Sequence, residues 1–225
     1  MKFSAVVPFH NEEDSVRGLW DALRPELEAL EGGAEAVLVD DGSTDGTLAG
    51  LNALERGPVP VLVVPLGRRS GLASALQAGL DRASGEILIT LDGDLQNDPA
   101  DIRLLVEKLD RGFDFVIGWR RRRRDPFLKK VSSLAANLMQ RVFLGVTVHD
   151  VGCNLRVMRR AVAEKVRLRS GYHRFAAALA ARAGFRVGEV PVLHHARRFG
   201  RSRFGFGART RQGAADFFRV WIGRP

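Results

Sequence analysis

Short apolar runs at residues 3–7, 36–39, 59–64, 87–91 and 115–117 alternate with longer amphipathic stretches at 14–30, 48–56, 72–83 and 102–109. A run that is apolar throughout has no polar face to offer water, so it reads as a strand covered on both sides. The stretches between repeat with helical spacing, and Pro99 falls where the first turn of a helix accepts it. Strand, helix, strand repeated in this way predicts an α/β fold: a mostly parallel sheet flanked by helices. Such sheets bind ligands beyond the carboxyl ends of their strands, so the residues following each run are expected to carry the chemistry.

With 225 residues, 45% of them hydrophobic, the chain can bury one sizeable core. We expect a domain over residues 1–200 and a basic amphipathic tail over 201–225. The formal charge of +9 attracts polyanions, whether nucleic acid, anionic headgroups or phosphorylated substrates. Cys153 is the single cysteine and has no partner for a disulfide, and residues 3–8 lead straight into polar His10, Asn11 and Glu12 rather than forming a signal peptide. Both features fit the cytoplasm. The best membrane-spanning candidate, residues 175–185, falls short of the roughly 20 apolar residues required and contains Arg182. After Gly118 the alternation weakens. A basic run at 120–124, with Lys129 and Lys130, leads into a helical stretch at 131–144. The tail sets Phe217, Phe218, Val220, Trp221 and Ile222 beside Arg219 and Arg224, a composition suited to a helix lying on a membrane or to one packing its aromatics on the domain.

Three of the predicted strand ends are acidic: His10-Asn11-Glu12-Glu13, Asp40-Asp41-Gly42-Ser43-Thr44-Asp45-Gly46 and Asp92-Gly93-Asp94-Leu95-Gln96. Each alone reads as turn and cap chemistry. Together they converge carboxylates on one edge, where they repel unless a cation joins them. Hard oxygen ligands suit Mg²⁺ or Mn²⁺, which in turn bridges a diphosphate.

The ordered segments at 6–12, 40–46 and 92–96, followed by Gly118-Trp119-Arg120, the stretch 150–156, Tyr172-His173-Arg174-Phe175, 189–192 and 197–203, resemble the inverting family 2 glycosyltransferases. The similarity covers roughly residues 3–220 and is strongest to the polyprenyl-phosphate subgroup, which includes dolichol-phosphate mannose synthases and undecaprenyl-phosphate sugar transferases. It implies the Rossmann-like GT-A fold and transfer from a UDP- or GDP-linked sugar to a polyprenyl phosphate with inversion. It also implies a Mg²⁺ or Mn²⁺ cofactor and a peripheral position at the inner face of an anionic membrane. By position, it places Pro8, His10, Glu12, Leu38 and Asp40 at the nucleoside, and Asp92, Gly93 and Asp94 at the ribose and diphosphate. Asp92, Asp94 and Gln96 correspond to the metal ligands, and Asp94 and Arg120 to the catalytic groups. Arg120, Arg124, Ser133, Arg197 and Arg203 correspond to the residues that meet phosphate, where an arginine fork can bond two oxygens at once. His10 stands where the family often has Tyr, and Arg203 where it often has Lys.

A phosphate nucleophile is already ionised near neutral pH, so this resemblance implies less need of a general base than transfer to a hydroxyl would. Transfer to the hydroxyl of a glycan is the alternative within the family. A sugar nucleotidyltransferase would be expected to carry a glycine-rich loop after the first strand, and residues 8–13 contain no glycine. A basic nucleic-acid-binding module would explain the charge but not the acidic strand ends, so no nucleic-acid partner is expected; self-association is left open. Cys153 reads as structural, and His149, His173, His194 and His195 do not have the spacing of a zinc motif.

Overall fold

The computed structural model describes residues 1–55, 57–121, 148–169 and 171–196. Arg124, Ser133, Arg197, Arg203, the helical stretch at 131–144 and the tail at 201–225 lie outside them. Seven strands form one sheet in the order β3-β2-β1-β4-β6-β5-β7. They are β1 (Phe3–Phe9), β2 (Ala34–Asp40), β3 (Val61–Pro65), β4 (Ile87–Thr90), β5 (Phe115–Trp119), β6 (Arg156–Arg159) and β7 (Val187–Pro191). The expected parallel arrangement holds for β3, β2, β1 and β4 and again for β5 with β7. Only β6 runs against its neighbours, pairing antiparallel with both β4 and β5.

That reversal matters for the site. Because β6 points the other way, its amino end meets the carboxyl ends of the remaining strands. The segment before it, residues 150–155, therefore arrives at the same edge as the loops after β1, β2, β4 and β5. Neither β6 nor β7 reads as a strand from the sequence: β6 carries Arg156 in a four-residue strand, and β7 is interrupted by Gly188 and Glu189. Their pairing with apolar β4 and β5 draws them into the sheet.

Helices α1 (Glu13–Glu28), α2 (Thr47–Asn52), α3 (Leu72–Arg82) and α4 (Ile102–Asp110) occupy the amphipathic stretches. In α1, Val16, Leu19, Trp20, Leu23 and Leu27 are buried, the three-and-four spacing of one helical face. Helix α3 lies unusually close to the sheet, because a Cβ on Gly79 would stand 2.4 Å from Val6 Cγ1 and 2.8 Å from Val39 Cγ2. A 3-10 turn at Pro99–Asp101 leads into α4, and the side chain of Asp98 caps it by accepting from Ala100 N–H. Two further helices, α5 (Arg160–Lys165) and α6 (Ala176–Arg182), follow β6. Helix α6 falls in the segment that was the best membrane-spanning candidate. Ala176, Ala177, Ala178 and Ala180 are buried and it packs on β5 and β7. No helix among the described residues is long and apolar enough to cross a membrane.

Candidate active site

Three loops at the carboxyl edge are laced together by side chains that the local sequence supplies at turns. After β1, Asn11 adopts a positive φ of 52°, which its short amide side chain tolerates, and its Oδ1 accepts from Thr44 N–H at 2.7 Å. Ser43 Oγ accepts from Asn11 N–H at 2.9 Å, and Thr47 Oγ1 accepts from Glu12 N–H at 2.8 Å. Ser15 Oγ bonds Gly93 O at 2.7 Å, reaching from the first turn of α1 to the loop after β4. Gly93 must be small here, since a Cβ would meet the Phe9 ring at 2.6 Å and Pro8 O at 3.0 Å. Pro8, Glu12 and Gly93 are thus brought to one edge, with Asp40 at the end of neighbouring β2. Leu38 is not at the opening: its side chain is 2% exposed and belongs to the core beneath α1.

Asp40 and Asp41 are 2% and 4% exposed, and each acts on backbone. Asp40 accepts from Ser43 N–H, closing the loop after β2. Asp41 accepts from Ser70 N–H at 2.6 Å and from Gly71 N–H at 2.9 Å, and so holds the loop after β3 against it. Gly42 completes this join with a φ of 62°, where a Cβ would fall 2.3 Å from the carbonyl carbon of Arg68. The His10 Nδ1 lies 2.8 Å from Asp41 O. A carbonyl only accepts, so this nitrogen carries the proton and Nε2 of the neutral ring is an acceptor.

The acidic pair sits after β4. Asp94 is 9% exposed and accepts from Gln96 N–H at 3.1 Å. Burial, then repulsion from Asp94, pushes the Asp92 carboxyl up to about 6, against the opposing pull of a hydrogen bond from Asn154 and the charges of Arg120 and Arg156. Two carboxylates crowded so that one resists ionisation are a donor set that a divalent cation would relieve. Among the described residues no three His, Cys, Asp or Glu side chains cluster as a metal site. Gln96, the third expected ligand, points its Nε2 at His195 O, 3.4 Å away, which leaves only Oε1 able to meet a cation.

Arg120, at the end of β5, is 13% exposed and paired with Asp150, itself 3% exposed. Its Nε donates to Asp150 Oδ2 at 2.7 Å and its Nη2 to Oδ1 at 2.9 Å. The sequence identified the arginine but assigned Asp150, Asn154 and Arg156 no part. The signal was their grouping within seven residues of an apolar segment, but only an antiparallel β6 delivers them to this edge. Nearby, Trp119 stacks on His149 with ring centroids 4.5 Å apart, and Glu189 bonds the His149 ring. Cys153 is fully buried, and burial pushes its thiol up to about 11, so it stays protonated as a structural residue. Burial, then the charges of Arg156 and Arg174, pushes His173 down to about 3, which makes it a neutral packing group.

The pattern of glycosyl transferase family 2 matches residues 4–167. The chain belongs to that family. It is therefore a glycosyltransferase, and its fold is the GT-A type. Dodecaprenyl-phosphate galacturonate synthase of Rhizobium johnstonii is 40% identical over 235 residues, covering 100% of this chain and 69% of that protein. Undecaprenyl-phosphate 4-deoxy-4-formamido-L-arabinose transferase of Serratia proteamaculans is 36% identical, covering 90% of this chain and 63% of that protein. This chain thus spans less than two thirds of the second relative. Among solved structures, glucosyl-3-phosphoglycerate synthase from Mycobacterium tuberculosis, crystallised with Mn²⁺, UDP and phosphoglyceric acid, superposes with a TM-score of 0.76 at 24% identity. The overlap covers 100% of this chain and 79% of that one, a likeness of fold.

Proposed function

We propose that this family 2 glycosyltransferase moves a sugar from a nucleoside diphosphate sugar to a polyprenyl phosphate, inverting the anomeric carbon. The observation that carries the proposal is the adjacency of opposite charges: Asp92, beside Asp94, lies close enough to Arg120 for the charges of Asp92 and Arg120 to act on one another. A site that must hold two phosphorylated substrates together needs both a cation-binding and an anion-binding group. Two relatives named for polyprenyl-phosphate products support the acceptor.

Asp92 and Asp94 would hold Mg²⁺ or Mn²⁺, which when bound neutralises the departing diphosphate. Arg120 is held rigid on its Nε and Nη2 edge by Asp150, while its Nη1 makes no hydrogen bond among the described residues and is the atom to receive a phosphate oxygen. His10 offers its ring face and its Nε2 acceptor to the base, beside Asp40. The acceptor phosphate is already ionised, so no residue need remove its proton. Asp150 is ill suited to do so, because both its oxygens are engaged by the Arg120 guanidinium. Arg124, Ser133, Arg197 and Arg203 remain the proposed phosphate contacts of the segments outside the described residues, and the basic tail the proposed contact with an anionic membrane, where each basic residue adds about 1 kcal/mol.

The test is a competition. The purified chain receives UDP- and GDP-sugars with equal concentrations of undecaprenyl phosphate and a glycan bearing free hydroxyls. Product is expected on the lipid phosphate and to vanish in Asp94→Ala; transfer to the glycan alone would overturn the acceptor assignment.

A further inference from the structure

We propose that Asn154 is a positioning residue for Asp92, its amide held in one orientation by the buried guanidinium of Arg156, and that this pair sets how tightly the acidic site takes a divalent cation. The inference rests on the metal reading above and deepens it. Asn154 lies in the lead-in to β6, and its Nδ2 donates to both Asp92 oxygens, at 2.9 and 3.0 Å. A primary amide can be turned end for end at little steric cost. Turned, it would set its oxygen against a carboxylate.

Arg156 prevents that. Its Nη2 donates to Asn154 Oδ1 at 3.0 Å, and a guanidinium has no acceptor to offer a reversed amide. Its Nε donates to Cys153 O at 2.8 Å, so one rigid fork grips two successive residues. The backbone is fixed too: Thr90 Oγ1, two residues before Asp92, donates to Asn154 O at 2.8 Å. Arg156 is only 1% exposed, in a strand position where an apolar side chain would avoid the desolvation of a charge. A buried arginine that touches no solvent, one amide away from an acidic pair, acts by orienting that amide. Each Asp92 oxygen retains lone pairs for a cation while Asn154 holds the carboxylate still. Partners of metal ligands placed in this way typically alter metal affinity by about 10- to 100-fold.

The experiment measures Mn²⁺ affinity of the full chain with UDP present, by the electron paramagnetic resonance of free Mn²⁺. Asn154→Ala is expected to weaken Mn²⁺ binding by about 10-fold or more while leaving UDP affinity in EDTA unchanged. Arg156→Lys keeps the charge but loses the fork. It is expected to weaken Mn²⁺ binding alone and to add little in the Asn154→Ala background, since it works through Asn154. Unchanged Mn²⁺ affinity in Asn154→Ala overturns the proposal, as does an Arg156→Lys effect undiminished in the double variant. If Arg156→Lys does not fold, Asn154→Ala decides alone. A wild-type chain that takes up no Mn²⁺ with UDP removes the metal reading and this inference with it, whereas normal wild-type uptake with an unaffected Asn154→Ala removes only the positioning role.

Discussion

Replacing Asp92 by Asn should change the stability of the metal-free protein in opposite senses on the two sides of a pH window. The Asp92 carboxyl is raised from 3.8 to about 6 by burial and by Asp94. A raised acid favours the protonated form in the fold, so its contribution is most favourable below pH 3.8 and is lost as pH climbs through 6. A shift of this size corresponds to about 3 kcal/mol; the carboxylate retains some contact with solvent, which reduces the expectation to about 1–2 kcal/mol. Asn cannot ionise and pays no such penalty, although it forfeits part of the Asn154 pairing, worth about 1 kcal/mol at every pH. The difference between the two proteins reports Asp92 together with its repulsion from Asp94, since groups remote from the pair titrate alike in both. Urea unfolding in EDTA at pH 4.5 and pH 7.5 measures it. Wild type should lose about 1–2 kcal/mol relative to Asp92→Asn between those values. Mn²⁺ with UDP should restore wild type by about 2.7 kcal/mol at a hundredfold excess over Kd, and give Asp92→Asn no more than UDP gives it in EDTA. A difference that does not vary with pH, or that favours wild type as pH rises, would refute the reasoning.

Arg120→Lys should lower kcat/KM for the lipid acceptor by about 100-fold, because an ammonium cannot satisfy both Asp150 oxygens and a phosphate; steady-state kinetics with varied acceptor checks it. Gly79→Ala should destabilise the fold by about 1–3 kcal/mol in urea, as the added methyl collides with Val6 and Val39 under α3. Gly42→Ala should lower Tm and weaken nucleotide binding in calorimetry, since its Cβ meets the backbone at Arg68 at a positive φ and opens the loop that Asp41 holds.

The first five strands and the helices between them were legible in the sequence because each element satisfies its own environment: β1 and β2 are apolar nearly throughout, and α1 repeats its buried residues every three or four positions. The acidic strand ends followed from that topology, since a parallel sheet puts such ends together. What could not be read was β6. Its first residue is a buried arginine, and a charge in a short strand gives no strand signal until Cys153 O and Asn154 Oδ1 are in place to receive it. With β6 missing, nothing brings Asp150 to Arg120 or Asn154 to Asp92. Leu38 was assigned to the nucleoside by resemblance, and its side chain is packed in the core beneath α1.

In the proposed reaction an acidic pair and a fixed arginine at one sheet edge join a nucleotide sugar to a lipid phosphate. The most direct measurement follows labelled sugar from a UDP- or GDP-sugar panel into the organic phase with undecaprenyl phosphate, in Mn²⁺ and again in EDTA. Label is expected in the lipid with Mn²⁺ and none with EDTA. Equal transfer in EDTA, or no lipid-linked product from any donor, would contradict the proposed reaction.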